Sequence, residues 1–141
     1  METKTIYKIT NPSREDWAAI THFIKEYKLD DTCMYANQFI VCREGETLLG
    51  FGRIKKHKDC DELSSLGVLP ECRKKGIGKI VVNELIKRAT QKLFLVTVIP
   101  DYFSKLGFEK TTQFPAVITA KQHDCKLVCG CELPTVMVYT K

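Results

Sequence analysis

The sequence RKKGIGK, at residues 73–79, sets three consecutive cations directly before two of the eight glycines in this 141-residue chain. A solvated run of charge needs no glycine, and glycine weakens a helix. Gly76 and Gly78 therefore indicate a loop whose backbone comes close to a ligand. The cations indicate that this ligand is an anion. A plain surface charge run would leave the glycine pair unexplained.

A strand-like segment precedes this loop, and a helical pattern follows it. DELSSLGVL (61–69) ends at Pro70, and IGKIVVNELIKRAT (77–90) repeats apolar residues four apart. The N–H groups of a first helical turn and the positive end of the helix dipole face a loop in this position. The segment therefore has the features of a phosphate site.

Two common phosphate loops are excluded by the residues that follow. A Walker loop requires a Gly-Lys pair followed by Ser or Thr, but Lys79 is followed by Ile80. A dinucleotide fingerprint requires a third glycine, and Val81 stands in its place.

Periodicity and turn residues predict the remaining elements. Ser13 can cap a first helix with Asp16 three residues later, and Gly45 with Glu46 can turn a hairpin. The predicted strands are 5–10, 38–44, 47–56, 61–69, 92–99, 108–112 and 135–140, and the predicted helices are 11–28, 77–90 and 100–107. The segment 115–133 is interpreted as a short helix and a loop.

The order of these elements predicts an α+β chain in three layers. Strands 62–69 and 92–99 form a parallel pair joined by helix 77–90, and the other strands make the sheet mixed and mostly antiparallel. A chain of 141 residues is long enough for one core and too short for two comfortable ones. We therefore expect a single domain over 1–141.

Composition excludes several function classes. The net charge of +5 is too mild to indicate nucleic acid, and the basic residues are not interleaved with aromatics along a face. No apolar run approaches the roughly 18–20 residues that a membrane span requires. The first ten residues, METKTIYKIT, lack the apolar core of a signal peptide. We expect a cytoplasmic protein that binds neither nucleic acid nor membrane.

The seven cysteines are scattered and odd in number, which favours reduced thiols over a disulfide framework. HDCKLVCGC (123–131) is the only spacing that hints at zinc, and it lacks a second, separated pair of ligands. We expect no metal site at His123, Cys125, Cys129 and Cys131.

The segment VLPECRKKGIGKIVV closely resembles the acetyl-CoA loop of the GNAT superfamily of N-acetyltransferases, whose signature is Q/R-x-x-G-x-G/A. Arg73, Gly76 and Gly78 fill its defined positions. The segment YFSKLGFEK looks like the second landmark of the family, FYxKxGF, and the order of elements is the family's order. The resemblance implies the GNAT acyl-CoA N-acyltransferase fold, with about seven strands, a splayed parallel pair and flanking helices.

The resemblance also implies how acetyl-CoA, the co-substrate, is bound. The pantetheine arm enters between the splayed strands and pairs with the backbone of the first of them. The diphosphate lies on the amides of 74–79, and Arg73, Lys74 or Lys75 neutralises the diphosphate or the 3′-phosphate. The expected cofactor contacts are Leu66, Gly67, Val68, Arg73, Lys74, Lys75, Gly76, Ile77, Gly78, Lys79 and Phe103.

Acetyl transfer requires a deprotonated amine, a polarised carbonyl and a protonated leaving thiolate. The resemblance implies direct attack without an acyl-enzyme. Glu62 stands eleven residues before Arg73, where histone acetyltransferases of the superfamily carry a glutamate base; other members use chains of water. Strand alternation places Glu62, Ser64 and Leu66 on one face. The amide of Val68 is expected to polarise the carbonyl.

The general acid departs from the family pattern. The usual tyrosine lies four residues before the glycine of LGF, and Phe103 stands there. Tyr102 comes one residue earlier, which turns a helical side chain by about 100°. Tyr102 or water is therefore expected to protonate the thiolate.

The acceptor is expected to be a primary amine of a small molecule or an amino acid. In this fold, specificity comes from the segments 25–37, 55–61 and 115–133, and none of them carries a readable motif. A homodimer is compatible with the resemblance. The alternatives are a non-catalytic acyl-CoA-binding or regulatory module, which Phe103 at the acid position favours, and less strongly a metal- or nucleic-acid-binding protein.

Overall fold

The computed structural model describes residues 6–73, 75–129 and 133–139, with 125–129 described by backbone alone. These residues form seven strands and four α-helices. In chain order they are β1 (Lys8–Thr10), α1 (Arg14–Glu26), β2 (Phe39–Glu44), β3 (Thr47–Lys56), β4 (Asp61–Val68), α2 (Ile77–Arg88), β5 (Leu93–Thr97), α3 (Pro100–Ser104), β6 (Phe108–Lys110), α4 (Ala116–Cys129) and β7 (Thr135–Tyr139).

The strands form a mixed sheet in the order β1-β2-β3-β4-β5-β7-β6. β4 and β5 run parallel, pairing Asp61 with Leu93 and Glu62 with Phe94. The ladders β1–β2, β2–β3, β5–β7 and β6–β7 are antiparallel. The predicted mixed sheet and its parallel pair are confirmed. The splaying of that pair stays a prediction.

The chain divides into two compact units, each with its own core. The first comprises Met1–Arg53 and Ser65–Leu85, and the second comprises Ile54–Ser64 and Ile86–Lys141. The core of the first contains Ile20, Ile24, Phe39, Val41 and Phe51. The core of the second contains Cys60, Phe94, Ile118, Val136 and Val138.

Helix α1 begins at the predicted cap. Ser13 Oγ accepts the N–H of Asp16 at 3.1 Å, and Asp16 Oδ2 accepts the N–H of Ser13 at 2.8 Å. Arg43 forms an ion pair with the same carboxylate. Burial alone would raise the pKa of Asp16, but the hydrogen bonds from Ser13 and Arg43 outweigh it and hold that pKa below its ordinary value.

Helix α4 is longer than the short helix predicted for 115–133. It runs from Ala116 to Cys129. Among its described side chains only Ile118 is buried. A helix that buries so little shows no apolar repeat, so sequence periodicity could not reveal its length.

No helix within the described residues is long and apolar enough to cross a membrane.

Candidate functional site

The residues 73–79, called here the glycine loop, include the turn before α2 and the first residues of that helix, and they belong to the first unit. Gly76 has a φ of +80° and is exposed, and a Cβ built on it would meet nothing within 4 Å. Such a backbone conformation favours glycine. The loop therefore has glycine where the chain turns into α2 and open space where a ligand could approach the backbone.

The amides of the glycine loop lie at the N-terminus of a twelve-residue helix. Ile80 donates its N–H to Gly76 O at 3.2 Å, which marks the first turn of α2. The N–H groups of 77–79 precede that bond and point out of the helix end. Together with the positive end of the helix dipole, they form an arrangement suited to a phosphate group.

The side chains of the loop divide between surface and core. Lys75 and Lys79 are exposed, whereas Ile77 is buried and Gly78 is buried beside it. A Cβ on Gly50 would lie 2.9 Å from the Ile77 side chain. Ile77, one of the predicted cofactor contacts in this loop, could therefore contact the cofactor only through its backbone. Lys74 lies outside the described residues.

Arg73 is held against its own unit. Its Nε donates to Val68 O at 3.1 Å, and its guanidinium lies 5.1 Å from the centre of the Tyr27 ring. A cation over an aromatic face is attracted by the ring. The guanidinium is thereby fixed at the end of β4, while the residue stays exposed.

At the end of β4, the amide of Val68 points away from the neighbouring strand β3. Leu69 donates its N–H to Leu49 O at 3.0 Å, so this amide faces β3. Successive amides of an extended chain point to opposite sides. The N–H and carbonyl of Val68 therefore point away from β3, in agreement with the bond that the Val68 carbonyl accepts from Arg73.

Gly67 has a packing role that the sequence did not reveal. A Cβ there would lie 2.5 Å from the ring of Phe51. The glycine is therefore required by the core of the first unit. Its backbone stays a predicted contact of the pantetheine arm, as does that of Leu66.

Glu62 lies in the second unit near the start of β4, and it is 2% exposed. Its Oε1 is 2.9 Å from His57 Nε2. Its Oε2 forms an ion pair with Lys121 Nζ at 3.0 Å. Lys121 Nζ also donates to Ser64 Oγ at 3.2 Å. The carboxylate is thus enclosed by two basic side chains.

The predicted common face of Glu62, Ser64 and Leu66 holds only in part. Glu62 and Ser64 both contact Lys121. Ser65 has a φ of +52°, outside the extended region, and its Oγ donates to Asp30 O at 2.7 Å. Alternation requires extended backbone, so it cannot be carried past Ser65 to Leu66.

The two aromatic residues of α3 differ in burial. Phe103, at the family's acid position, is 6% exposed and packs edge-on against Phe108 with ring centres 5.8 Å apart. Tyr102 is 37% exposed. Partial burial raises the pKa of the Tyr102 phenol, so it keeps its proton at neutral pH. Of the two, only Tyr102 carries a transferable proton.

His57 and Lys121 are the site residues that sequence reasoning missed. His57 stands five residues before Glu62, a spacing that is unremarkable in a turn between strands. Lys121 comes from α4, whose pattern is weak. Only the fold brings these side chains to one carboxylate.

The predicted absence of zinc stays a prediction. His123 is exposed on α4, Cys131 lies outside the described residues, and so do the side chains of Cys125 and Cys129. Among the side chains that the structure describes, no group of three His, Cys, Asp or Glu residues could hold a metal ion.

Solved structures share this fold at low sequence identity. N-acetylglutamate synthase from Neisseria gonorrhoeae, complexed with coenzyme A and N-acetyl-glutamate, is 17% identical, with a TM-score of 0.76 over 97% of this chain and 35% of its own. The chain thus spans about a third of that synthase. Rv2747 from Mycobacterium tuberculosis, in complex with CoA and NLQ, is 18% identical, with a TM-score of 0.78 over 95% of this chain and 99% of its own.

A third structure is the ribosomal-protein-S18-alanine N-acetyltransferase from Escherichia coli. It is 16% identical, with a TM-score of 0.65 over 95% of this chain and 93% of its own. At these identities the similarity shows the fold. The sequence profile of the Acetyltransferase (GNAT) family matches residues 3–108, which is most of the chain. The chain therefore belongs to the GNAT family of acetyltransferases.

Proposed function

We propose that this protein is an acetyl-CoA-dependent N-acetyltransferase that moves an acetyl group to a primary amine of a small molecule or an amino acid. The observation that carries the proposal is the glycine loop. Gly76 adopts a positive φ beside open space, and the first-turn amides of α2 follow it. Family membership and the coenzyme A in two of the similar structures support the same ligand.

The residues present fit acetyl-CoA. First-turn amides and exposed lysines suit its phosphates, and the amide of Val68, which points away from β3, is suited to polarise the thioester carbonyl. We propose that Leu66, Gly67 and Val68 pair with the pantetheine arm through their backbone. We propose that the glycine loop holds the diphosphate, with Arg73 beside it.

When bound, acetyl-CoA supplies the acetyl group as a thioester. The chain supplies the proton transfers. The sequence selected Glu62 as the base that accepts the amine proton, directly or through water, and we propose that its carboxylate is required for this step. Tyr102 is proposed as the donor to the leaving thiolate, because its phenol is protonated at neutral pH; water is the alternative donor.

The similar structures also bear on the proposed acceptor. One similar structure is complexed with N-acetyl-glutamate, which favours an amino acid, whereas another is named for a ribosomal-protein alanine. We further propose that residues 1–141 form a single domain, that the protein is cytoplasmic and that it has no nucleic-acid partner. A homodimer is compatible with this proposal.

Release of free thiol from acetyl-CoA tests the proposed activity. The protein is mixed with acetyl-CoA and, in turn, L-glutamate, L-lysine, spermidine and a peptide that begins with alanine. Turnover with one of the first three amines supports the proposal, and turnover with the peptide alone would replace the small acceptor by a protein terminus. Binding without turnover would favour the non-catalytic module, for which Phe103 at the acid position is the motivating feature. Failure to bind would contradict both.

A further inference from the structure

The Glu62 carboxylate is inaccessible, but its histidine partner is not. The side chain of Glu62 is 3% exposed and that of His57 is 23% exposed. Both carboxylate oxygens already contact a basic side chain, one His57 and the other Lys121. An amine could therefore reach the imidazole without disturbing the cluster, but it could not reach the carboxylate.

The contacts determine where the imidazole carries its proton. A carboxylate only accepts hydrogen bonds, so the bond to Glu62 Oε1 requires a proton on His57 Nε2. The ammonium of Lys121 already balances the carboxylate charge. The imidazole can therefore be neutral, and a neutral imidazole protonated at Nε2 has its lone pair on Nδ1.

Both backbone polar groups of His57, its N–H and its carbonyl, form hydrogen bonds. Its N–H donates to Cys60 O at 2.9 Å, and its carbonyl accepts from Gln91 Nε2 at 2.9 Å. The side chain is then oriented by Glu62. His57 and Lys121 come from two of the segments to which the family resemblance assigns specificity, 55–61 and 115–133.

Two titratable groups beside Glu62 in the sequence, Asp61 and Cys60, are not competing bases. Asp61 binds Lys56 Nζ and the amides of Thr90 and Gln91. Burial, followed by the carboxylates of Glu62, Asp61 and Asp59, raises the pKa of the Cys60 thiol to about 11. At neutral pH this thiol is protonated and is no competing base.

We propose that His57 Nδ1 takes the proton from the acceptor amine, with Glu62 and Lys121 as positioning residues. The inference rests on the proposed acetyltransferase function and assigns its base. The amine nitrogen attacks the thioester carbonyl, the C–N bond forms and the C–S bond breaks. The amine proton passes to Nδ1, and coenzyme A leaves as a thiolate that is protonated by Tyr102 or water.

Three variants test this assignment with the fastest amine of the panel named above. His57→Gln is expected to lower kcat about 10²–10⁴-fold while the Kd of acetyl-CoA stays unchanged. Glu62→Gln is expected to lower kcat as well, with partial recovery as pH rises. Lys121→Met removes the cation that contacts the carboxylate, and it is expected to lower kcat while the Kd of acetyl-CoA stays unchanged. Because every variant is assayed with the same amine, the ionisation of that amine affects all of them equally and cancels when their rates are compared.

The chain offers a matched control in a second histidine–glutamate pair. His22 Nε2 lies 3.2 Å from Glu26 Oε2 on α1, with side chains 70% and 54% exposed. His22→Gln is expected to keep both the rate and the pH profile. In nitrogen-15 spectra of histidine-labelled protein, His57 is expected in the Nε2–H tautomer, with the other two histidines as internal references.

The outcomes separate the two proposals. Wild-type turnover together with near-normal kcat and an unchanged profile in His57→Gln would overturn the assignment of the base alone. A near-normal kcat in folded Lys121→Met, or the opposite tautomer in the spectra, would also overturn it. Absence of thiol release by the wild type with every amine would overturn the proposed function itself.

Discussion

Replacing Gly76 by valine is expected to abolish acetyl-CoA binding at a modest cost in stability. The φ of +80° strains any branched side chain, but nothing lies within 4 Å of the new Cβ. Strain without a clash costs about 1–3 kcal/mol, from a total free energy of unfolding of about 5–15 kcal/mol. The variant should therefore remain folded.

The effect on binding is larger because the side chain enters the space through which a phosphate approaches the amides. A hydrogen bond to a charged group contributes about 1.5–3 kcal/mol, so each one lost raises the Kd of acetyl-CoA about 10–100-fold. Titration calorimetry measures the Kd, and urea unfolding measures the stability.

Gly45 provides the matched control for this experiment. It has a φ of +60° in the turn between β2 and β3, and a Cβ there also meets nothing within 4 Å. Gly45→Val should lose similar stability and keep the wild-type Kd. A folded Gly76→Val protein that binds acetyl-CoA normally would refute the loop assignment, and equal losses of binding in both variants would attribute the effect to strain.

Three further predictions concern single side chains. Tyr102→Phe should lower kcat about 10²–10⁴-fold if the phenol protonates the thiolate, with Tyr7→Phe, outside the segments assigned to specificity, as the control; a normal rate would assign the proton to water. Lys75→Ala should weaken coenzyme A about 2–5-fold and dephospho-coenzyme A less, if it meets the 3′-phosphate; equal losses would place it at the diphosphate. Burial alone would raise the pKa of Asp61, but hydrogen bonds from Lys56 and from backbone amides outweigh it and lower that pKa. The stability it contributes is therefore present at neutral pH and is lost as pH falls below about 4. Asp61→Asn should destabilise the protein by about 1–3 kcal/mol at pH 7 and flatten its acid unfolding curve, and an unchanged curve would contradict this.

Local signals made much of the fold predictable. The capping pair of Ser13 and Asp16, the glycine turn at Gly45 and the alternation of the strands each depend on neighbouring residues, and the structure confirms the elements they predicted. The glycine loop belongs to the same class, because a positive φ at Gly76 and a following helix are both consequences of local sequence.

The remainder depends on tertiary contacts. Ser65 adopts a left-handed backbone inside β4, which no residue preference of serine indicates. The enclosure of Glu62 requires Lys121, which is distant in sequence and comes from a helix with a weak pattern. Sequence reasoning could therefore select Glu62 as a candidate base, but it could not show that His57 is its accessible partner.

Transfer of a labelled acetyl group tests the central claim most directly. The protein is incubated with acetyl-CoA deuterated in the acetyl group and with L-glutamate, L-lysine or spermidine, and Gly76→Val serves as the blank. We predict labelled amide on the amine nitrogen, one free thiol for each amide formed, and neither product above background in the variant. Label that appears only as free acetate, or thiol release that the variant matches, would contradict the assignment of this chain as an N-acetyltransferase.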